Sequence, residues 1–169
     1  YEFTASAEPA DILQRLASTM EQRVGSIDWT TLEGAGMTVY DGVIIASLIE
    51  TEVLLDEERP TVSSVIHNRL GLGMKLDIDA TVLYALGTRD PSLFNNEVDS
   101  PYNTYLVNGL PPTPIASPGR ASLEAAAAPI ESDFLFYVLS DLEGHHAFAA
   151  TLDEHNANVA QAREDGVLP

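Results

Sequence analysis

From Thr38 to Leu55 the chain is apolar almost all the way round a helical projection, with Val43, Ile44, Ile45, Leu48, Ile49, Val53, Leu54 and Leu55 leaving no broad polar face. A helix of this kind has no side to show to water, so the rest of the fold must wrap around it. Thr38-Val-Tyr-Asp41 matches a capping box and predicts where it starts. Two glutamates, Glu50 and Glu52, interrupt its second half. At about 100° per residue they point about 200° apart and cannot face one cleft. Projection puts Glu52 in the stripe of Ile45, Leu48, Ile49 and Leu55, and Glu50 nearer Val43, Ala46, Ser47 and Leu54. Desolvation disfavours a carboxylate, so Glu52 is expected to titrate high, as a general acid working near neutral pH requires. The residues alone leave a second reading open, in which either glutamate is a buried partner of Arg59 or Arg69 or is solvated at a helix end.

Around this centre the spacing predicts a helical chain with one small sheet. Ser6, Pro9 and Asp11 precede Ile12, Leu13, Leu16, Ala17 and Met20 at helical intervals, which predicts a first, amphipathic helix. Gly25 to Gly36 reads as a loop around Asp28-Trp29, and the apolar helix should then run from Thr38 to about Leu55. Asp56-Glu-Glu-Arg-Pro60 opens a third helix that closes near Arg69-Leu70 at Gly71 and Gly73. A short helix is expected over Ala80–Leu86, ended by Gly87. Asp90 to Pro118 carries most of the chain's prolines with several Asn and Gly residues, too many breakers for regular structure, and a loop this long is usually functional. Ser117-Pro118 should start an Ala-rich helix to about Ala128. Phe134–Leu139 and Ala147–Ala150 read as paired strands about a turn at Asp141–Gly144. Thr151-Leu-Asp-Glu154 repeats the capping box and begins a last helix to about Glu164. The expected fold is α+β: a mainly helical single domain over residues 1–169, with a small antiparallel sheet and a long Pro-rich active-site loop.

Charge and composition narrow the function. The 169 residues include 26 acidic and 8 basic side chains, a formal net charge of −18, and the only lysine is Lys75. Duplex DNA and anionic membranes demand clustered Lys and Arg, so neither is expected as the main partner. Cysteine is absent, which excludes a disulfide framework, a thiolate metal site and a cysteine nucleophile. The longest nearly unbroken apolar run, Gly42–Ile49, is far shorter than the roughly 20 residues of a membrane-spanning helix. Because the first residue is Tyr1 rather than Met, the chain reads as a processed or truncated product.

Two further groups could carry chemistry. His145, His146 and His155, with Asp153 and Glu154, offer metal-ligating types, but their spacing fits no compact ligand motif. In the long loop, Tyr102-Asn-Thr-Tyr105, Gly109-Leu-Pro-Pro112 and Ile115-Ala-Ser-Pro-Gly119 combine stiff backbone with aromatic and amide groups. Sugar clefts use such groups against ring C–H and hydroxyls.

Read in order, Ala46-Ser-Leu-Ile-Glu-Thr-Glu52, Glu58-Arg-Pro60, Val65-Ile-His-Asn-Arg-Leu70, Gly73-Met-Lys-Leu76 with Asp79-Ala-Thr-Val82, the three loop motifs, and His146-Ala-Phe148 with Glu154-His-Asn156 resemble the MltG/YceG family of endolytic murein transglycosylases. The resemblance extends over nearly the whole chain. It implies a bacterial enzyme that cuts peptidoglycan glycan strands internally, between N-acetylmuramic acid and N-acetylglucosamine, leaving a 1,6-anhydro end and using neither metal nor cofactor. In that family the second glutamate of the Ala-Ser-x-x-Glu-x-Glu run is the essential acid, which falls on Glu52. Family members are held at the outer face of the cytoplasmic membrane by one N-terminal transmembrane helix, usually followed by a LysM-like module; both lie outside this sequence. Peptidoglycan synthases are candidate partners. Asp77-Ile-Asp-Ala-Thr81 departs from the family's common Gln-x-Asp-Pro-Thr, and His145 stands where Gly is frequent before His146.

On this resemblance Glu52 is expected to protonate the leaving oxygen and then accept the proton of the sugar's C6 hydroxyl, so no second carboxylate is needed. Asn103, Tyr105 and Ser117, with Tyr102, are the expected sugar-positioning residues; Glu50, Glu58, Asn68, Arg69 and Asp79 are expected to support the site. Three rivals are a muramidase-like hydrolase pairing Glu52 with Asp79 or Glu50, an inactive peptidoglycan-binding scaffold, and a metal-dependent hydrolase.

Overall fold

A computed structural model describes residues 1–169. Seven helices, α1 (Pro9–Gly25), α2 (Thr30–Gly34), α3 (Val39–Glu52), α4 (Arg59–Gly71), α5 (Asp79–Ala85), α6 (Arg120–Ala127) and α7 (Leu152–Glu164), accompany one two-stranded antiparallel sheet, β1 (Phe136–Leu139) and β2 (His146–Ala149). The α+β expectation holds. Helix α3 is the centre: Ile44 through Ile49 are all buried, and α2, α4, α5 and α6 pack around them. Its start is the expected capping box, with the Asp41 carboxylate accepting the Thr38 N–H at 2.8 Å and the Thr38 hydroxyl accepting the Asp41 N–H at 3.2 Å.

Helix α3 ends at Glu52, short of the expected Leu55, because Val53 turns into extended backbone (φ −119°, ψ 125°) and a 3₁₀ turn at Asp56–Glu58 leads into α4. Leu55 therefore lies outside the helical stripe. The stretch expected as plain loop from Gly25 to Gly36 contains α2 and a buried Trp29, whose indole N–H donates to the Val24 carbonyl at 3.0 Å. The six-membered ring of Trp29 lies so close to Gly42 that a Cβ there would run into it, which gives the glycine inside α3 its reason. Helix α1 forms where its spacing predicts, with Glu8 as its N-cap, and it buries no residue; Leu13 is exposed, and contact with the core comes through Met20 and Val24 near its C-terminal end.

The sheet pairs Phe136 with Ala149 and Leu139 with His146. Its connection is fixed by Asp141, whose Oδ1 accepts the N–H groups of Glu143, Gly144 and His145, with Gly144 in the left-handed region (φ +101°) that suits glycine. The Pro-rich segment has only a 3₁₀ turn at Pro91–Leu93 as regular structure, as its breakers predict. It is nevertheless well anchored. Asn103 is fully buried, its amide donating to the Asn96 and Val98 carbonyls at 2.8 Å each while its oxygen accepts the Tyr105 N–H.

Candidate active site

The Ala46–Glu52 run divides its polar side chains between two faces of α3. On one face Ser47 and Glu50 hold the Pro-rich loop. The Ser47 hydroxyl accepts the Ile115 N–H at 3.1 Å, and Glu50 Oε2 accepts the Gly119 N–H at 2.9 Å and the Ser122 hydroxyl at 2.6 Å. Arg59 completes the cluster, with Nη1 3.5 Å from Glu50 and Nε 2.7 Å from Asp56. Burial works to raise the Glu50 pKa, but the Ser122 and Gly119 hydrogen bonds and the Arg59 charge outweigh it, and the carboxyl is held below its ordinary range. Glu50 is thus an ionised structural staple, as the pairing with Arg59 anticipates.

Glu52, on the other face, has the opposite surroundings. Its one hydrogen bond comes from the Tyr137 hydroxyl on β1, 2.8 Å from Oε2. Burial, foremost, pushes its pKa up; the Tyr137 hydrogen bond opposes it, and the nearby Asp79 charge adds to the rise against a lesser effect of His146. It is also the last residue of α3, where the negative end of the helix dipole further disfavours a carboxylate. Tyr137 itself is raised far above its ordinary value by burial and by Glu52, so it stays protonated and serves as a donor. The upward shift agrees in direction with the expectation from the helical projection; the Tyr137 contact is one the spacing does not predict. The available signal was a tyrosine within a half-buried strand, whose hydroxyl needs a partner.

A cleft of about 830 Å³ opens beside this helix end, lined by Glu50, Thr51, Ala80, Leu83, Tyr84, Gly87, Thr88, Arg89, Ile115, Ala116 and Ser117. Glu52 and Asp79 are not in the lining; each is the chain neighbour of a lining residue, Thr51 and Ala80. On the Glu52 side the Tyr105 hydroxyl donates to the Asp79 carboxylate, and the Lys75 ammonium donates to the Tyr105 carbonyl at 2.7 Å.

The other expected site residues fall into distinct places. Ser117 is exposed in the cleft wall, and Tyr102 stands behind that wall, its ring 5.0 Å from Tyr84 and its hydroxyl 2.8 Å from Thr113. Asn103 holds the loop from inside and has no free amide proton to offer a sugar, so its part is support rather than contact. Asn68 donates to the Ser132 and Phe134 carbonyls, Arg69 to the carbonyls of Leu135, Lys75 and Leu76 and to Asp77 at 3.1 Å, and Glu58 accepts both the N–H and Nδ1 of His146. These three tie α4 and the 3₁₀ turn to the strands and carry no free polar group into the cleft. Asp77, the departure from the family pattern, sits in the left-handed region (φ +53°), which Asp tolerates, and pairs with Arg69. The histidines disperse: His145 pairs with Asp141, His146 with Glu58, and His155 stacks on Phe136. Arg89, which the sequence reading did not single out, is the basic residue of the cleft lining.

The YceG-like family model matches residues 1–161. An endolytic murein transglycosylase of Bacillus subtilis (strain 168) is 44% identical over 122 residues, covering 71% of this chain and 34% of that protein. The protein of the same name from Streptococcus pneumoniae (strain R6) is 29% identical over 168 residues, covering 95% of this chain and 30% of its own length. A crystal structure of a yceG-like protein from Listeria monocytogenes matches with a TM-score of 0.82 and 37% identity, covering 93% of this chain and 52% of that one. The chain spans about a third of the length of these curated relatives.

Proposed function

The chain belongs to the YceG-like family, and from that membership we propose that it is the catalytic region of an endolytic murein transglycosylase with Glu52 as its single acid and base. The observation that carries this reading is the contrast in carboxyl environments. Glu52 is half-buried, is pushed above its ordinary range by desolvation and has one oxygen uncommitted, whereas Glu50 is fixed by three donors and the Asp79 carboxylate is taken by the Tyr105 hydroxyl. A protonated Glu52 donates to the glycosidic oxygen as the C1–O bond breaks. The resulting carboxylate then takes the proton of the muramoyl C6 hydroxyl as that oxygen closes on C1, giving the 1,6-anhydro sugar and restoring the acid. One carboxyl serves both steps because the nucleophile belongs to the substrate, whereas hydrolysis of the usual kind calls on two. Tyr105 and Ser117 are the candidates for holding the sugar. The anchor at the outer face of the cytoplasmic membrane and the synthase partners implied by the resemblance belong to this proposal; no helix of the chain is long and apolar enough to cross a membrane.

Digestion of purified peptidoglycan, with mass spectrometry of the new ends, tests the reading. Anhydro ends that disappear in Glu52→Gln are expected. Reducing ends, heavier by one water, would instead make the protein a hydrolase with Asp79 as second carboxylate, and binding to sacculi without soluble products would make it a scaffold. Activity lost in chelator would move the chemistry to a metal.

A further inference from the structure

In a chain with 26 acidic and 8 basic side chains, where each cation is placed is informative. Of the four basic residues within or beside the family motifs, Arg59 is committed to Asp56 and Glu50, Arg69 to Asp77 and backbone carbonyls, Arg120 to Glu124, and Lys75 to the Tyr105 carbonyl. The structure engages each of the four with the protein itself. Arg89 is different. It is exposed, it lines the cleft, and its guanidinium has no hydrogen-bond or ion-pair partner in the protein. Its backbone is nevertheless fixed. Gly87, in the left-handed region at φ +67°, ends α5 by donating to the Tyr84 carbonyl at 3.0 Å, and the Thr88 N–H reaches the Leu83 carbonyl at 3.1 Å. The Asp90 N–H then donates to the Thr88 hydroxyl, and the Asp90 carboxylate caps the next turn through Ser92. The chain therefore folds back so that Thr88 and Arg89 line the same cleft as Ala80, Leu83 and the exposed ring of Tyr84.

We propose that Arg89 is the carboxylate receptor of the cleft, binding a carboxylate carried by the glycan strand; this rests on the transglycosylase reading. A guanidinium fork matches a carboxylate with two parallel N–H···O bonds, and in a protein of charge −18 such a strand needs a local cation to be held. Two carboxylates of the polymer qualify, those of the stem peptide and that of the lactyl ether once the peptide is gone. Arg89→Ala and Arg89→Lys should be compared with the wild type by sacculus co-sedimentation and by steady-state cleavage. The substrates are peptide-bearing strands, the same strands with carboxyls converted to amides, and strands stripped of peptide by an amidase. Loss of a charged hydrogen-bond pair predicts that Arg89→Ala raises Kd and KM about tenfold on peptide-bearing strands with little change in kcat, and that lysine restores part of the loss. Wild type should show the same rise on amidated strands, where the alanine variant loses nothing further. A defect confined to peptide-bearing strands assigns the stem peptide, and one that also appears on stripped strands shows that Arg89 takes the freed lactyl carboxylate as well. Equal binding by wild type and Arg89→Ala, or an undiminished defect on amidated strands, overturns the proposal. If the wild type makes no anhydro ends, the transglycosylase reading falls, and co-sedimentation still decides the role of Arg89.

Discussion

Glu50 and Glu52 are the same residue type, two positions apart on one helix, and the fold drives them in opposite directions. Glu50 meets a loop N–H, a hydroxyl and a guanidinium, and is held ionised. Glu52 meets a single tyrosine hydroxyl at the helix C-terminus beside another acid, and is pushed toward the neutral form. The difference comes from donor count and burial rather than from the residue, and it separates the group that builds the site from the group that can exchange a proton in it.

The largest test of that division is activity. Glu52→Gln should lower kcat for the release of anhydro ends by roughly 10²- to 10⁴-fold, as removal of a general acid does, while far-UV dichroism stays native. Glu50→Ala should act through stability instead. It leaves the Gly119 N–H and the Ser122 hydroxyl without their acceptor and Arg59 with Asp56 and the Ser122 oxygen alone, a loss of about 2–3 kcal/mol. In a chain of this size that lowers Tm by roughly 5 to 10 °C. Were the two outcomes exchanged, so that Glu50→Ala stayed stable but inactive, the roles of the two glutamates would be reversed.

Tyr137→Phe gives a smaller and more diagnostic effect. Its hydroxyl favours the ionised form of Glu52, so removing it moves the Glu52 titration upward. The alkaline limb of the kcat profile, where the acid form is lost, should shift to higher pH, with kcat down about tenfold and KM unchanged. A tyrosine that merely packed would alter Tm and leave the pH profile in place.

Stability should also separate the pair by pH. Folded Glu52 binds its proton more tightly than the unfolded chain does, so its contribution falls as pH rises from the ordinary value of 4.5 through its raised native value. Folded Glu50 binds its proton less tightly, so its contribution is present above 4.5 and is lost as pH falls through its lowered native value. Thermal melts should therefore show Glu52→Gln slightly more stable than wild type at pH 7, a gain that is gone by about pH 4.5, and Glu50→Gln less stable, a loss that persists down to about pH 4.5 and shrinks only below it.

Much of this contrast was legible before the fold was known. The helical period places the two glutamates on different faces, and capping boxes mark the starts of α3 and α7, because both signals are local. What the sequence did not show depends on contacts between distant segments. Tyr137 reaches Glu52 across 85 residues, and Trp29 reaches Gly42 from a stretch that reads as loop. The end of α3 was overrun because Val53, Leu54 and Leu55 continue the apolar pattern, while the chain needs extended backbone there to turn into α4. Asn103 looked like a sugar ligand because amides at sugar sites and amides that brace loops are the same residue in sequence; burial tells them apart.

The smallest expected effect is that of salt, and it bears on the surroundings the two glutamates share. Raising ionic strength from about 0.1 M to about 1 M shortens the screening length from ~10 Å to ~3 Å. That relieves the repulsion between a protein of charge −18 and an acidic strand, and it weakens the carboxylate contact proposed for the exposed Arg89 of the cleft. The two changes oppose each other in KM. The Glu52–Tyr137 bond is partly buried and short, so kcat should hardly respond. Sacculus cleavage is therefore expected to keep its rate or rise slightly with salt. A steep fall in kcat/KM at constant kcat would mean that attraction at Arg89 outweighs the field of the whole protein. A fall in kcat itself would mean that Glu52 lies open to solvent ions, which would remove the physical basis for separating it from Glu50.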